Sequence, residues 1–155
     1  MSSQVLRTQG ITEAAWIRFL RAHAAVTRQL STRLENAHGL TLSDFDVLVQ
    51  LSLAEGNRLR RVDLARTVLL TASGITRLLD GLERAGWVEK QRCASDARVT
   101  YAALTKAGLE KIESARSSHS ADVEELFGSQ YSENEKATLD ELLARLPLAD
   151  TACQK

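Results

Sequence analysis

Apolar and polar positions follow a helical period between residues 71 and 86. Four apolar side chains recur at the spacing that places them on one helix face, namely Ile75, Leu78, Leu79 and Leu82. The opposite face carries Ser73, Thr76, Arg77, Asp80 and Arg84. Thr71 is a suitable N-cap, and Gly86 suits the left-handed residue that often follows a last turn. The pattern therefore predicts an amphipathic helix of about four turns.

A strand-like pattern follows this helix. Residues 87–90 and 99–102 are rich in β-branched and aromatic side chains, and they flank a polar segment at 91–98. Asp96 and Arg98 lie near the tip of that segment. A helix followed by such a hairpin is a winged helix.

Most of the remaining chain is predicted to be helical. The predicted helices span residues 11–37, 42–54, 62–68, 104–127 and 132–146, with a turn at 55–57 and a short extended piece at 58–60. Thr12 is a possible cap of the first helix. Ser132 and Glu135 have the spacing of a capping box that opens the last helix, which Pro147 closes. The helix at 62–68 and the central helix have the proportions of a helix-turn-helix, whose second helix enters the major groove of DNA.

These elements predict a mainly α fold with a small β-hairpin wing, a winged helix-turn-helix with N- and C-terminal dimerisation helices. We expect one domain over residues 1–155. Within it, residues 58–106 form the DNA-binding region, and residues 11–57 and 107–147 form the helical dimerisation and support region. The apolar stripes of the terminal helices need a cover, which predicts a two-fold homodimer. The alternative is a monomer whose terminal helices fold back on its own module.

The net charge of zero hides an uneven distribution. Residues 1–57 are neutral, residues 58–106 carry a charge of +5, and residues 107–155 carry a charge of −5. Basic charge concentrated in one module is expected where one face of a protein meets a polyanion, although such an excess also arises as ordinary compositional noise. The charge pattern favours nucleic acid as a partner of the winged module.

Several functional classes find no support in the sequence. The chain has no run of about 18 apolar residues and no secretory leader, so we expect a cytoplasmic protein without a membrane partner. Cys93 and Cys153 lie far apart without metal-ligand spacing, which predicts neither a metal site nor a disulfide. The three histidines are isolated, and there is no glycine-rich phosphate loop. We therefore expect no cofactor and no enzymatic activity.

Residues 96–108 read DARVTYAALTKAG and resemble the wing signature of the multiple antibiotic resistance regulator (MarR) family, an Asp-x-Arg followed by a strand and Leu-Thr-x-x-Gly. Further residues that look like the pattern of this family are Leu64, Ala65, Thr71, Ser73, Leu78, Leu82, Glu83, Gly86, Trp87 and Val88. The resemblance implies a homodimeric winged-helix regulator of transcription, often a repressor that binds double-stranded, pseudo-palindromic operator DNA. It also implies release by a small phenolic or other aromatic ligand, or by oxidation.

The exposed face of the central helix carries suitable chemistry for reading DNA. Arg77 can make a bidentate contact to guanine, and Ser73 and Thr76 can hydrogen-bond to base edges or phosphate. Thr71 and the N–H groups of the first helical turn suit a phosphate. For any single side chain, the alternative is a solvated residue or a local ion pair, such as the one that Arg84 could form with Asp80.

The wing and the preceding helix supply the other candidate DNA contacts. The Asp96 carboxylate can hold the Arg98 guanidinium extended, so that it enters a narrow minor groove, and the family resemblance assigns this role to Arg98. The remaining candidates are cations predicted to contact phosphates, namely Arg61, Arg66, Lys90 and Arg92. An apolar surface at residues 71–98 would instead favour a winged helix that contacts only proteins.

Two kinds of switch are compatible with the sequence. A small aromatic effector could bind between the helical region and the winged module, lined by the candidates Trp16, Arg18, His23 and Arg28. Their spacing does not place all four on one face. Trp16 is more often a core residue, and His23 is more often a surface residue or a satisfied partner. Alternatively, Cys93 could be a redox-sensing thiol activated by Arg92 and Arg98.

Overall fold

A computed structural model describes residues 10–67, 72–93, 96 and 98–147 of the chain. The helices are α1 (Ile11–His38), α2 (Leu42–Leu53), α3 (Arg61–Thr67), α4 (Ala72–Arg84), α5 (Lys106–Leu126) and α6 (Glu133–Leu143). The strands are β1 (Arg58–Arg60), β2 (Val88–Arg92) and β3 (Thr100–Leu104), and short 3-10 turns lie at Glu55–Asn57 and Gly128–Gln130. Within the described ranges, no helix is both long enough and apolar enough to cross a membrane. The predicted fold class is confirmed.

The ends of the helices follow local chemistry. Thr41 and Asp44 form a reciprocal capping box at the start of α2. The predicted capping box of Ser132 and Glu135 is present at the start of α6. The prediction of Thr12 as the cap of α1 is wrong, because the helix already includes Ile11. Gly10 occupies the N-cap position and makes no side-chain hydrogen bond there.

The sheet is larger than the predicted hairpin. It has three antiparallel strands in the order β1-β3-β2, so the extended piece at residues 58–60 pairs with β3 and completes the sheet. Strand β2 continues to Arg92, which places Arg92 opposite Thr100 rather than in the connecting segment. Leu104 ends β3 and does not begin a helix, since Thr105 is the N-cap of α5. These differences arise because strand pairing, which a single stretch of sequence does not reveal, carries β2 and β3 two residues beyond their predicted ends.

The core lies where α4 packs on the sheet and on the helices around it. Ile75, Leu79 and Leu82 of α4 are at most 3% exposed, as the period of the central helix predicts. They join a buried cluster that also includes Leu48 of α2, Val88 of β2 and Ile112 of α5. Burying a side chain of this size stabilises the fold by about 1.5–3 kcal/mol. The winged module is therefore a packed support that fixes the outward face of α4.

Helices α1 and α5 pack together along one side of the winged module. Arg33 of α1 bridges Asp122 and Glu125 of α5. Lys136 of α6 reaches back to Glu124 of α5, with Nζ 3.2 Å from Oε1. Large apolar side chains nevertheless remain exposed near both ends of the described chain.

Candidate nucleic-acid interface

The outward face of α4 presents two of the predicted base-reading residues. Thr76 and Arg77 are exposed, whereas Ile75 and Leu79, which belong to the apolar face of the same helix, are buried. Ser73 precedes Thr76 by three residues and so belongs to the same helix face, although its side chain lies outside the described part of the structure. Thr71 also lies outside the described residues. The major groove of DNA is wide enough for an α-helix and offers hydrogen-bonding groups to polar side chains, so base reading by this face of α4 stays a prediction.

The C-terminal half of α4 is joined to the wing by ion pairs. The Nζ of Lys90 lies 3.0 Å from Glu83 Oε2 and 3.5 Å from Asp80 Oδ1. Lys90 is about half exposed whereas the Glu83 side chain is 21% exposed, so only the Lys90–Asp80 pair is a weak surface pair. Contact between Lys90 and DNA stays a prediction. Arg84 does not form the ion pair suggested for it, because its Nε donates to the main-chain oxygen of Asp80 at 3.1 Å.

Hydrogen bonds connect the described residues near the wing tip. The carboxylate oxygen Oδ1 of Asp96 accepts a hydrogen bond from the backbone N–H of Arg98 at 2.9 Å. The N–H of Val99 donates to the Asp96 carbonyl oxygen, and that of Cys93 donates to the Val99 carbonyl oxygen, both at 3.0 Å. The prediction that Asp96 holds the Arg98 guanidinium is thus corrected, since the carboxylate instead shapes the turn that carries Arg98. The Arg98 side chain is exposed.

The other predicted phosphate contacts differ in access. Arg66 at the end of α3 and Arg92 at the end of β2 are exposed. Arg61 is half-buried, with Nη2 shielded from solvent, so it is less available to a phosphate. The three cations lie near the ends of elements that flank α4, and their contacts with phosphate stay predictions.

Sequence reasoning missed two cations on β1. Arg58 and Arg60 are exposed. The Arg58 guanidinium lies 5.0 Å from the ring centroid of Tyr101, and its Nη1 donates to Gln91 Oε1 at 3.3 Å. The sequence contained a signal for them, because Arg58, Leu59 and Arg60 alternate between polar and apolar as in a strand with one buried face. Such a strand would place both arginines on its exposed face, where they extend the basic surface.

The residues predicted to line an effector site are not brought together. Trp16 and His23 share one face of α1 with Phe19 between them, at ring centroid distances of 6.0 Å and 6.4 Å. Arg18 instead borders a surface depression formed by α1 residues, and Arg28 is exposed about three turns further along the helix. Of the four predicted residues, Trp16 and His23 share a surface, and they do so together with Phe19, which was not predicted.

Cys93 lies directly after β2 and is half-buried. Its N–H is part of the wing-tip hydrogen bonding described above. Its thiol therefore lies near the region that carries Arg98, and the redox alternative stays a prediction.

Comparison with known proteins identifies the family of this chain. A sequence model described as the MarR family matches residues 38–99, from the last residue of α1 to the residue before β3. The crystal structure of AbsC, a MarR family transcriptional regulator from Streptomyces coelicolor, shares 32% sequence identity with this chain and superposes with a TM-score of 0.80, covering 88% of this chain and 93% of AbsC. The chain belongs to the MarR family.

Other proteins similar to this MarR chain are also regulators of transcription. Sco3205, a MarR family transcriptional regulator from Streptomyces coelicolor solved in complex with DNA, is 25% identical with a TM-score of 0.80 over 85% of this chain and 82% of its own. The transcriptional repressor YetL from Bacillus subtilis is 32% identical over 108 residues, which is 70% of this chain and 64% of YetL. The MarR chain is a DNA-binding transcriptional regulator, in a family of regulators and not of enzymes.

Proposed function

We propose that this regulator acts as a homodimeric repressor at a pseudo-palindromic operator, and that a small aromatic ligand releases it from DNA. The observation that carries the proposal is the pairing of an exposed polar face on α4 with exposed apolar surface at both ends of the chain. One surface suits DNA and the other suits a second copy. An apolar docking surface on the wing, which would favour a protein-binding module, is not found among the described residues between 72 and 104.

The apolar surface near the chain ends is extensive. Ile11 is 91% exposed, Trp16 is 56% exposed and Leu142 is 48% exposed. Phe19, Leu20, Phe127, Tyr131 and Leu146 are also exposed. Monomeric proteins rarely leave so many large apolar side chains in water. Covering such a side chain contributes about 1.5–3 kcal/mol, so a few of them suffice to hold a dimer together.

A dimer also matches the way helix-turn-helix proteins reach specificity. Two copies of α4 related by a two-fold axis would contact two half-sites, which in such complexes lie about 34–36 Å apart, or one helical turn of DNA. The operator would then share the two-fold symmetry of the protein. A repressor role is supported by the similarity to YetL, which is named a repressor.

Matched leucine variants test the dimer. We expect Leu20→Asp and Leu142→Asp to shift the protein toward monomers in sedimentation velocity, because each places a charge on the apolar surface near a chain end. Leu53→Asp is the control, since Leu53 is 59% exposed but lies at the end of α2, away from both chain ends. A wild-type protein that sediments as a monomer at micromolar concentration would contradict the proposed assembly.

The ligand response is a separate part of the proposal. The aromatic row of Trp16, Phe19 and His23 offers a surface on which a flat aromatic ring could stack. A panel of phenolic acids titrated into the protein–DNA complex should contain members that lower operator affinity and shift the melting temperature. His23→Gln should raise the ligand concentration needed for release while leaving operator affinity alone. If no member of the panel changes either quantity, the ligand response fails and the repressor assignment stands.

A further inference from the structure

The turn that follows the recognition helix α4 is bound to the first turn of α5. Two hydrogen bonds of 3.0 Å close the end of α4. The N–H of Trp87 donates to the Leu82 carbonyl oxygen, and the N–H of Gly86 donates to the Glu83 carbonyl oxygen. Gly86 adopts a left-handed conformation with φ 78°, which favours glycine. The chain thus leaves α4 in a defined direction, and the carbonyl groups of Gly86 and Trp87 remain available to a neighbour.

Thr105 is that neighbour. Its hydroxyl donates to the Gly86 carbonyl oxygen at 2.6 Å, and its N–H donates to the Trp87 carbonyl oxygen at 3.1 Å. The same hydroxyl accepts from the N–H of Gly108 at 3.0 Å and so forms the N-cap of α5. One side chain therefore begins α5 and holds the end of α4.

Two further contacts close the same joint. Gly108 packs directly against the main chain of Trp87, where a Cβ at position 108 would overlap with the Trp87 carbonyl oxygen. The Nζ of Lys111, on the next turn of α5, lies 4.8 Å from the centroid of a Trp87 ring. Thr105, Gly108 and Lys111 thus place one side of the first turns of α5 against the two residues that follow α4.

At its other end, α5 is clamped to α1 by the ion pairs of Arg33. Helix α5 therefore links the apolar surface of α1 to the end of the recognition helix through specific contacts at both ends. We infer that Thr105 is a positioning residue for DNA recognition, and that the joint of Gly86, Trp87, Thr105 and Gly108 transmits the orientation of α5 to α4. The inference rests on the proposed function, because it concerns operator binding by two coupled recognition helices.

Loosening this joint has a distinct signature. Base readout requires both recognition helices to lie in register with their half-sites, whereas contacts to phosphates are sequence-independent and tolerate changes of angle. A variant with a loose joint should lose specific affinity and keep non-specific affinity. A variant that is simply less stable would lose both in proportion to its unfolded fraction.

Thr105→Val tests the joint, because it keeps the shape of the side chain and removes the hydroxyl that Gly86 and Gly108 share. We expect at least a tenfold loss of affinity for an operator duplex selected with the wild-type protein, with affinity for a scrambled duplex within twofold of wild type. Thr105→Ser should restore operator affinity. Thr138→Val is the control, since the Thr138 hydroxyl bonds only within α6, to the Asn134 carbonyl oxygen.

A folded Thr105→Val variant that binds the operator within twofold of wild type would overturn the inference, as would parallel losses on both duplexes. Should this variant fail to fold, Lys111→Met provides a second test. It should weaken operator binding roughly two- to fivefold more than Lys106→Met does, since Lys106 is a fully exposed lysine at the start of the same helix. Equal effects of the two lysine variants would also overturn it. If the wild type shows no sequence preference, the proposed function itself fails, which is a different outcome.

Discussion

Arg33 of α1 and Asp122 of α5 form an ion pair across the helical region, with Nη1 2.8 Å from Oδ1. The same guanidinium contacts Glu125, with Nη2 2.7 Å from Oε1. Residues almost ninety positions apart are thereby held by one planar group that matches the geometry of both carboxylates. These hydrogen bonds raise the pKa of Arg33 and lower the pKa of Glu125. The arrangement fixes α1 on α5 at the opposite end from the recognition helix.

Replacing Arg33 with Met should lower the melting temperature, because the apolar stem is kept while both ion pairs are lost. The loss should shrink as salt is added, since all the groups involved are partly exposed and therefore screened. Differential scanning fluorimetry at low and high salt measures this effect. Arg28→Met, an exposed change on the same helix, is the control. Equal melting temperatures for the two variants would contradict a stabilising role of Arg33.

The same variant has a predictable pH dependence. The pKa of Glu125 is lowered below its ordinary value of 4.5 by its hydrogen bonds from Arg33. Its contribution to stability is therefore present above that value and is lost as the pH falls through the folded-state pKa. The difference in melting temperature between wild type and Arg33→Met should be full at neutral pH and should narrow in acid. A difference that stays constant down to about pH 3 would show that packing, and not charge, is responsible.

His119 should make the protein less stable as the pH falls, whereas a histidine paired with a carboxylate would make it more stable. Its ring lies 4.5 Å from that of Phe45, and burial lowers its pKa from 6.5, partly opposed by the charge of Asp122. As the pH falls, His119 therefore takes up a proton in the unfolded chain before it does so in the folded protein. The free energy of unfolding should then decrease below about pH 6.5, the ordinary pKa of histidine. His119→Phe should flatten the pH dependence of the free energy of unfolding between about pH 5 and pH 7. The free energy of unfolding is measured by urea titration at several pH values. If it changes with pH by the same amount in the two proteins, this assignment is contradicted.

The elements near the DNA surface could be predicted from sequence because their patterns are local. The helical period of Ile75, Leu79 and Leu82 is a property of one segment, and the structure buries all three. The Ser132 and Glu135 capping box is likewise contained within four residues. Local patterns of this kind specify an element and its buried face without reference to the rest of the chain.

Pairings between distant segments could not be predicted in the same way. The third strand, β1, is three residues long and gains its structure from pairing with β3. Asp96 has two possible partners in Arg98, its backbone N–H and its guanidinium, and only the conformation of the turn selects between them. Thr105 and Gly108 were visible as part of a family motif, but their contacts with Gly86 and Trp87 depend on the folded chain.

Arg77 should determine base preference. Because a bidentate contact with guanine contributes about 1–3 kcal/mol of discrimination, Arg77→Ala should lower the ratio of operator affinity to scrambled-duplex affinity by roughly tenfold or more. The side chain is exposed, so the melting temperature should stay near that of wild type. Fluorescence anisotropy with both duplexes measures the ratio. A loss of equal size on both duplexes would mean that Arg77 contacts phosphate and not a base.

Arg98 should contribute to affinity through the wing. Arg98→Ala should weaken operator binding by at least about 1 kcal/mol without changing the melting temperature, since the exposed guanidinium is free to enter a narrow minor groove. Arg98→Lys keeps the charge, so it separates the shape of the guanidinium from its charge. Unchanged operator affinity in Arg98→Ala would contradict the assignment of the wing tip.

The central claim is that two copies of this chain read one symmetric DNA site. Selection of bound duplexes from a random-sequence library by the full-length protein, followed by sequencing, tests this claim most directly. We predict enrichment of an inverted repeat whose half-site centres lie about 10 base pairs, or a multiple of one helical turn, apart. Enrichment of a single unrepeated half-site, or no enrichment at low salt, would contradict the account.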